Sequence, residues 1–168
     1  RILAAAADFT PSGGRFEHVI HLTDRQPIEL GPFSITPYLM DHSAYDAYAV
    51  LVEAGGKRLF YTGDLRGHGR KAKLFDRLLA NPPGGVDALL MEGTTITRSG
   101  TDEGFATESD LEMEMAMLFG STSGMPLVWC SGQNIDRLVT VFRAAKRSGR
   151  RLILDMYTAH ILASTENP

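Results

Sequence analysis

The sequence predicts an α/β fold, and two changes of rhythm along the chain predict it. From 16 to 54 it is a series of short extended runs separated by Asp, Pro and Gly, the pattern of a sheet. Beyond Asp64, helix-length amphipathic segments alternate with short apolar runs, the pattern of parallel strands joined by right-handed crossovers. A third observation places a site on that fold. Polar residues gather where apolar runs end, at Asp41-His42-Ser43, Thr62-Gly63-Asp64 and Met91-Glu92-Gly93, and the carboxyl ends of strands are where open α/β sheets collect their sites.

Taken in order, 2–7 reads as a helix with no capping residue before it, running into the Pro11-Ser12-Gly13-Gly14 turn. Glu29-Leu30-Gly31-Pro32 marks a turn between two extended runs. The runs 48–54 and 57–62 flank Gly55-Gly56, a tight hairpin signal because glycine takes positive φ without steric cost. His42 and Asp64 therefore bracket one hairpin and meet at its open end. A helix follows at 71–80, on Leu74, Leu78 and Leu79, then a strand at 86–91. The next helix, 108–119, rests on Leu111, Met115 and Leu118. After a strand at 127–130, Leu138, Val141, Phe142 and Ala145 define a helix over 135–148, and 151–154 is the last strand. Asn81-Pro82-Pro83-Gly84-Gly85 stops one helix, and 97–106 is a polar loop long enough to be a surface excursion or a domain boundary.

Composition narrows the function classes. With 168 residues, 43% hydrophobic and 22% charged, the chain suits one globular domain or part of a larger protein. A formal net charge of -3 removes the basic footprint of a protein that grips nucleic acid by bulk electrostatics, while leaving room for a local basic groove. The single cysteine, Cys130, excludes an internal disulfide framework and a cysteine-rich zinc module, and its apolar surroundings read as packing. No apolar run approaches a membrane span, and the N-terminus lacks signal-peptide order, so a cytoplasmic protein without membrane contact is expected.

Imidazole and carboxylate brought to one sheet rim suit zinc or manganese, and a bridging carboxylate suits a metal pair, so His42 and Asp64 read as half of a two-metal hydrolase site. Glu92 repeats the geometry of a carboxylate at a strand end, with a turn-capping role through Thr94 or Thr95 as the alternative. Arg66, His68 and Arg70 follow Asp64 in a glycine-rich loop, where cationic donors can meet an anionic substrate or simply be solvated. Ser131-Gly132-Gln133-Asn134 links a strand to a helix, where backbone amides favour anions, so Gln133, Asn134 and Arg137 are candidate contacts to a nucleic-acid backbone, with an ordinary N-cap as the competing account. His18 and His21 fall on opposite faces of an expected strand, and His160 shows no partner in the sequence, so all three read as structural.

Asp41-His42-Ser43, Thr62-Gly63-Asp64, Met91-Glu92-Gly93-Thr94 and Ser131-Gly132-Gln133-Asn134-Ile135-Asp136-Arg137, in this order, resemble the metallo-β-lactamase fold hydrolases of the β-CASP branch, which includes ribonuclease J and the nucleases that cleave messenger-RNA 3′ ends. The resemblance implies a portion of an αββα sandwich over 1–120 and the start of an α/β β-CASP insert over 121–168. It implies two zinc ions, with manganese as the alternative, and hydrolysis of RNA phosphodiesters by a two-metal-activated hydroxide. His42 then matches the third metal motif, Asp64 matches the fourth and bridges both ions, and Glu92 matches the acidic residue that orients a catalytic histidine. Single-stranded RNA is the implied partner, with DNA second and a homo-oligomer open. The signature His-x-His-x-Asp-His is absent from the chain, so these ligands are expected to precede Arg1, and the isolated fragment is expected to be inactive. Two other readings stand beside this one: a hydrolase of small phosphodiesters or esters on the same fold, and a non-catalytic scaffold that binds nucleic acid.

Overall fold

The computed structural model describes residues 1–11, 13, 17–94 and 105–166. They form two compact units, one of His21–His42 and Asp46–Thr107, the other of Arg1–Ile20, Ser43–Tyr45 and Glu108–Pro168. The fold is α/β, as the rhythm of the sequence predicts.

The first unit is built on a five-stranded sheet in the order β1 (Ile28–Leu30), β2 (Phe33–Met40), β3 (Ala47–Ala54), β4 (Lys57–Tyr61) and β5 (Ala88–Leu90). Its turns are where the sequence places them. Gly31, at φ 59°, lets Leu30 pair with Phe33 across a two-residue connection, and Gly55 and Gly56, at φ 55° and 73°, do the same for Ala54 and Lys57. β1 to β4 are antiparallel neighbours, whereas β4 and β5 are parallel, a pairing that needs a crossover. Helix α2 (Ala72–Ala80) lies in that crossover. The core joins Met40, Ala49, Leu51 and Phe60 to Leu78 of α2, with Tyr38, Leu65, Phe75 and Val86 around them. Burial of Met40, Leu51 and Phe60 contributes about 1.5–3 kcal/mol each. One expectation fails here. Leu79 faces outward at 64% exposure, because Phe75 takes the core position and Arg77 reaches back to pair with Asp24.

The second unit packs α1 (Ile2–Ala7) on α5 (Met156–Ser164), and α3 (Glu108–Ser121) on α4 (Ile135–Arg147). Ala5, Ile135, Leu138 and Ile161 form one core cluster, against which Cys130 packs as expected; Phe119, Val141, Ala144 and Ala145 form another. α4 ends on Gly149 at φ 73°, whose N–H donates to the Lys146 carbonyl while the Arg150 N–H donates to that of Ala145, a pairing that closes the helix and satisfies its last carbonyls. α3 thus sits with the later helices and not with the sheet.

Four further readings of the sequence are corrected by the structure. The buried face of α3 is Glu108, Glu112 and Phe119, with Met115 half-buried, while Leu118 is 61% exposed. Arginines on α4 neutralise the two glutamates, so carboxylates share the inward face with Met115, and of the expected stripe Leu111, Met115 and Leu118 it is Leu118 that turns outward. On α4 it is Ala144 that is buried and Phe142 that is exposed. The runs 127–130 and 151–154 are not strands, because a strand exists only through its partner and none pairs with them among the described residues; Leu127, Trp129 and Ile153 are exposed at 88%, 100% and 80%. The segment carrying His18 and His21 is likewise irregular.

Candidate functional site

β2, β4 and β5 run in one direction, since β2 and β4 are both antiparallel to β3 and β5 is parallel to β4. Their carboxyl ends therefore share one rim of the sheet. Asp41 and His42 follow β2, Asp64 follows β4, and Glu92 follows β5, so the topology brings the three expected residues of this unit to one edge.

Hydrogen bonds tie the three strand ends together. The Arg66 N–H donates to the Asp41 carbonyl at 2.9 Å, joining the loop after Asp64 to the end of β2. Glu92 joins it to β5: its Oε1 accepts the Leu65 N–H at 2.6 Å and its Oε2 accepts the Thr94 hydroxyl at 3.0 Å. The buried Thr62 completes the link, with its N–H on the Leu90 carbonyl at 2.9 Å and its Oγ1 accepting the Glu92 N–H at 3.3 Å. Glu92 thus caps its own turn and also holds the backbone next to Asp64. Gly63, at φ 57°, sets the direction in which Asp64 leaves the strand, where it is exposed, with His42 half-buried.

The remaining candidates already have protein partners. Arg66 turns inward, its Nε 3.7 Å from the Asp41 carboxylate and its side chain only 15% exposed. His68 stacks on Phe105 with ring centroids 5.1 Å apart. In the helical unit, Gln133 donates to the Tyr157 hydroxyl at 2.7 Å, and the Asn134 Oδ1 accepts the Arg137 N–H at 2.9 Å as the N-cap of α4. Asn134→Ala is expected to lower stability by about 1 kcal/mol in denaturant unfolding. The Arg137 guanidinium makes a two-pronged bond to Glu108, at 3.1 and 3.2 Å. The thiol of Cys130 is pushed up by burial, which keeps it protonated and unsuited to nucleophilic work.

Sequence reasoning missed two features. His160 does have a partner, the Asp8 carboxylate at 3.1 Å, just after the end of α1 and far away in the chain. The fully buried Asp41 is the other; the signal for it was Gly67-His68-Gly69, a glycine spacing that marks close backbone approach.

As donors, His42 and Asp64 are of types that divalent metals accept. A two-ion centre needs more than these, and among the described residues no group of three or more His, Cys, Asp or Glu side chains is disposed to hold an ion. The rim fits part of a metal centre only. Among the described residues no helix is long and apolar enough to cross a membrane.

No protein-family model matches the chain. It is 27% identical over 145 residues to ribonuclease J of Mycobacterium tuberculosis (strain ATCC 25618 / H37Rv), a match covering 79% of this chain and 24% of that protein. It is 26% identical over 140 residues to ribonuclease J of Mycolicibacterium smegmatis, with the same coverage of each. A crystal structure of a protein of unknown function from Enterococcus faecalis V583 superposes with a TM-score of 0.76 at 22% identity, over 97% of this chain and 41% of that one, which shows a shared fold. The chain is therefore an α/β polypeptide with distant similarity to ribonuclease J, spanning 24% of the length of the curated relatives it matches.

Proposed function

We propose that the intact protein is a metal-dependent hydrolase of the metallo-β-lactamase type, a nuclease that cleaves RNA phosphodiester bonds. The observation that carries this reading is the convergence of His42, Asp64 and Glu92 on one rim, in a chain whose sequence is similar to ribonuclease J over 79% of its length. His42 and Asp64 would hold divalent ions, zinc first and manganese second, together with donors from outside these 168 residues. Such ions supply Lewis-acid activation of water and neutralise charge at phosphorus. Glu92 would fix the Asp64 loop and orient a catalytic histidine. His68 and Gln133 would meet the RNA beside their partners Phe105 and Tyr157, while Arg66, Asn134 and Arg137 would act through the loop and helix end they shape.

The test is cleavage of a labelled single-stranded RNA by the intact protein, beside single-stranded DNA and a small phosphodiester. RNA cleavage that is lost on chelation and restored by zinc or manganese is the expected result. Cleavage of the small diester alone would replace the RNA assignment, and cleavage unaffected by chelation would overturn the metal-dependent reading.

A further inference from the structure

Asp41 is the most buried carboxylate near the rim, with no exposed surface, and nothing assigned so far to the site requires it. A carboxylate in that position is tolerated only when its oxygens are occupied. Here Oδ2 accepts the Gly69 N–H at 2.7 Å, Oδ1 accepts the Lys71 N–H at 3.2 Å, and the Arg66 guanidinium stands 3.7 Å from Oδ1. The carbonyl of the same residue accepts the Arg66 N–H at 2.9 Å. Gly69 is packed so closely on this cluster that a Cβ there would clash with both the Asp41 carboxylate and the Arg66 guanidinium. Thus 66–71 is folded around one side chain.

We infer that Asp41 is the positioning residue of the rim, the buried anion that clamps the 66–71 loop to the end of β2. Its neighbour His42, and Asp64 just before the clamped loop, are thereby held in register. Residue type and spacing follow from this role. Asparagine would turn an N–H₂ group toward one of the two backbone donors, glutamate would be too long for the cradle, and any side chain at position 69 would prise it open. With both oxygens engaged and no exposed surface, Asp41 is not a ligand, although it adjoins one in the proposed site.

The catalytic consequence rests on the hydrolase reading, whereas the clamp itself does not. In the intact protein, Asp41→Asn and Asp41→Ala are compared with wild type by amide hydrogen exchange and by separate kcat and KM values for a single-stranded RNA. Exchange at Gly69 and Lys71 is expected to rise about tenfold or more, with the β3–β4 hairpin unchanged. We expect kcat to fall about tenfold to a hundredfold while KM stays within about twofold, as misplacement of reacting groups requires. Unchanged exchange in Asp41→Asn overturns the inference, and so does faster exchange with unaltered kcat. Should Asp41→Ala fail to fold, the isosteric Asp41→Asn still decides. If wild type cleaves no RNA, the proposed function falls, and the exchange data alone judge the clamp.

Discussion

Replacing Asp64 by alanine in the intact protein is expected to lower RNA cleavage by about a hundredfold or more, the scale on which loss of one electrostatic stabiliser falls. The fold should hardly register the change. Asp64 is exposed, it lies in a loop beyond the end of β4, and its position is set by neighbours: Gly63 by its positive φ, Leu65 by the bond from its N–H to Glu92, Arg66 by the bond from its N–H to the Asp41 carbonyl. Surface substitutions of this kind usually shift stability by no more than about 0.5 kcal/mol. Steady-state cleavage assays beside thermal unfolding check both halves. A loss of activity that merely tracks a loss of folded protein would not support a chemical role, and undiminished cleavage would remove Asp64 and the hydrolase reading with it.

What could be read from the sequence was local. The Gly55-Gly56 turn is decided by backbone sterics at two residues, and once β3 and β4 are joined there, His42 and Asp64 must lie at the hairpin's other end. Glu92 was placed by the same logic, since a crossover helix returns β5 parallel to β4. What could not be read depended on partners distant in the chain. The 127–130 and 151–154 runs have strand composition, but a ladder needs a neighbour, and apolar content alone does not provide one. The face of α3 was misread because Glu108 and Glu112 are inside, and only arginines about thirty residues later make that possible. Asp41 looked like part of a polar, ligand-binding loop; its actual partners, Gly69 and Lys71, come from the far side of Asp64.

Of the two buried glutamates of α3, Glu108 gives the larger expected effect on stability. Glu108 is 3% exposed and accepts from Arg137 Nε and Nη2 and from the Thr140 hydroxyl at 2.6 Å. Alanine at this position would leave the guanidinium, 30% exposed, without its counter-charge at the junction of α3 and α4. Removing one member of a buried pair costs about 3–5 kcal/mol, and partial access of Arg137 to water argues for the lower end. For a chain of this size that corresponds to a fall in Tm of about 6–12 °C. Glu112 supplies the control. It is equally buried, but its partners Arg147 and Arg143 have side chains 58% and 56% exposed and can return to water, so Glu112→Ala should cost only about 1 kcal/mol. Thermal scans of the two variants that fall by the same amount would show that burial of the carboxylate, and not the stranded arginine, sets the penalty. Glu108→Gln keeps an acceptor for Arg137 while removing the charge, and should fall between wild type and Glu108→Ala. Because the Arg137 N–H is also held by Asn134, disorder introduced at Glu108 should spread to the turn before α4, visible as faster amide exchange across 131–134.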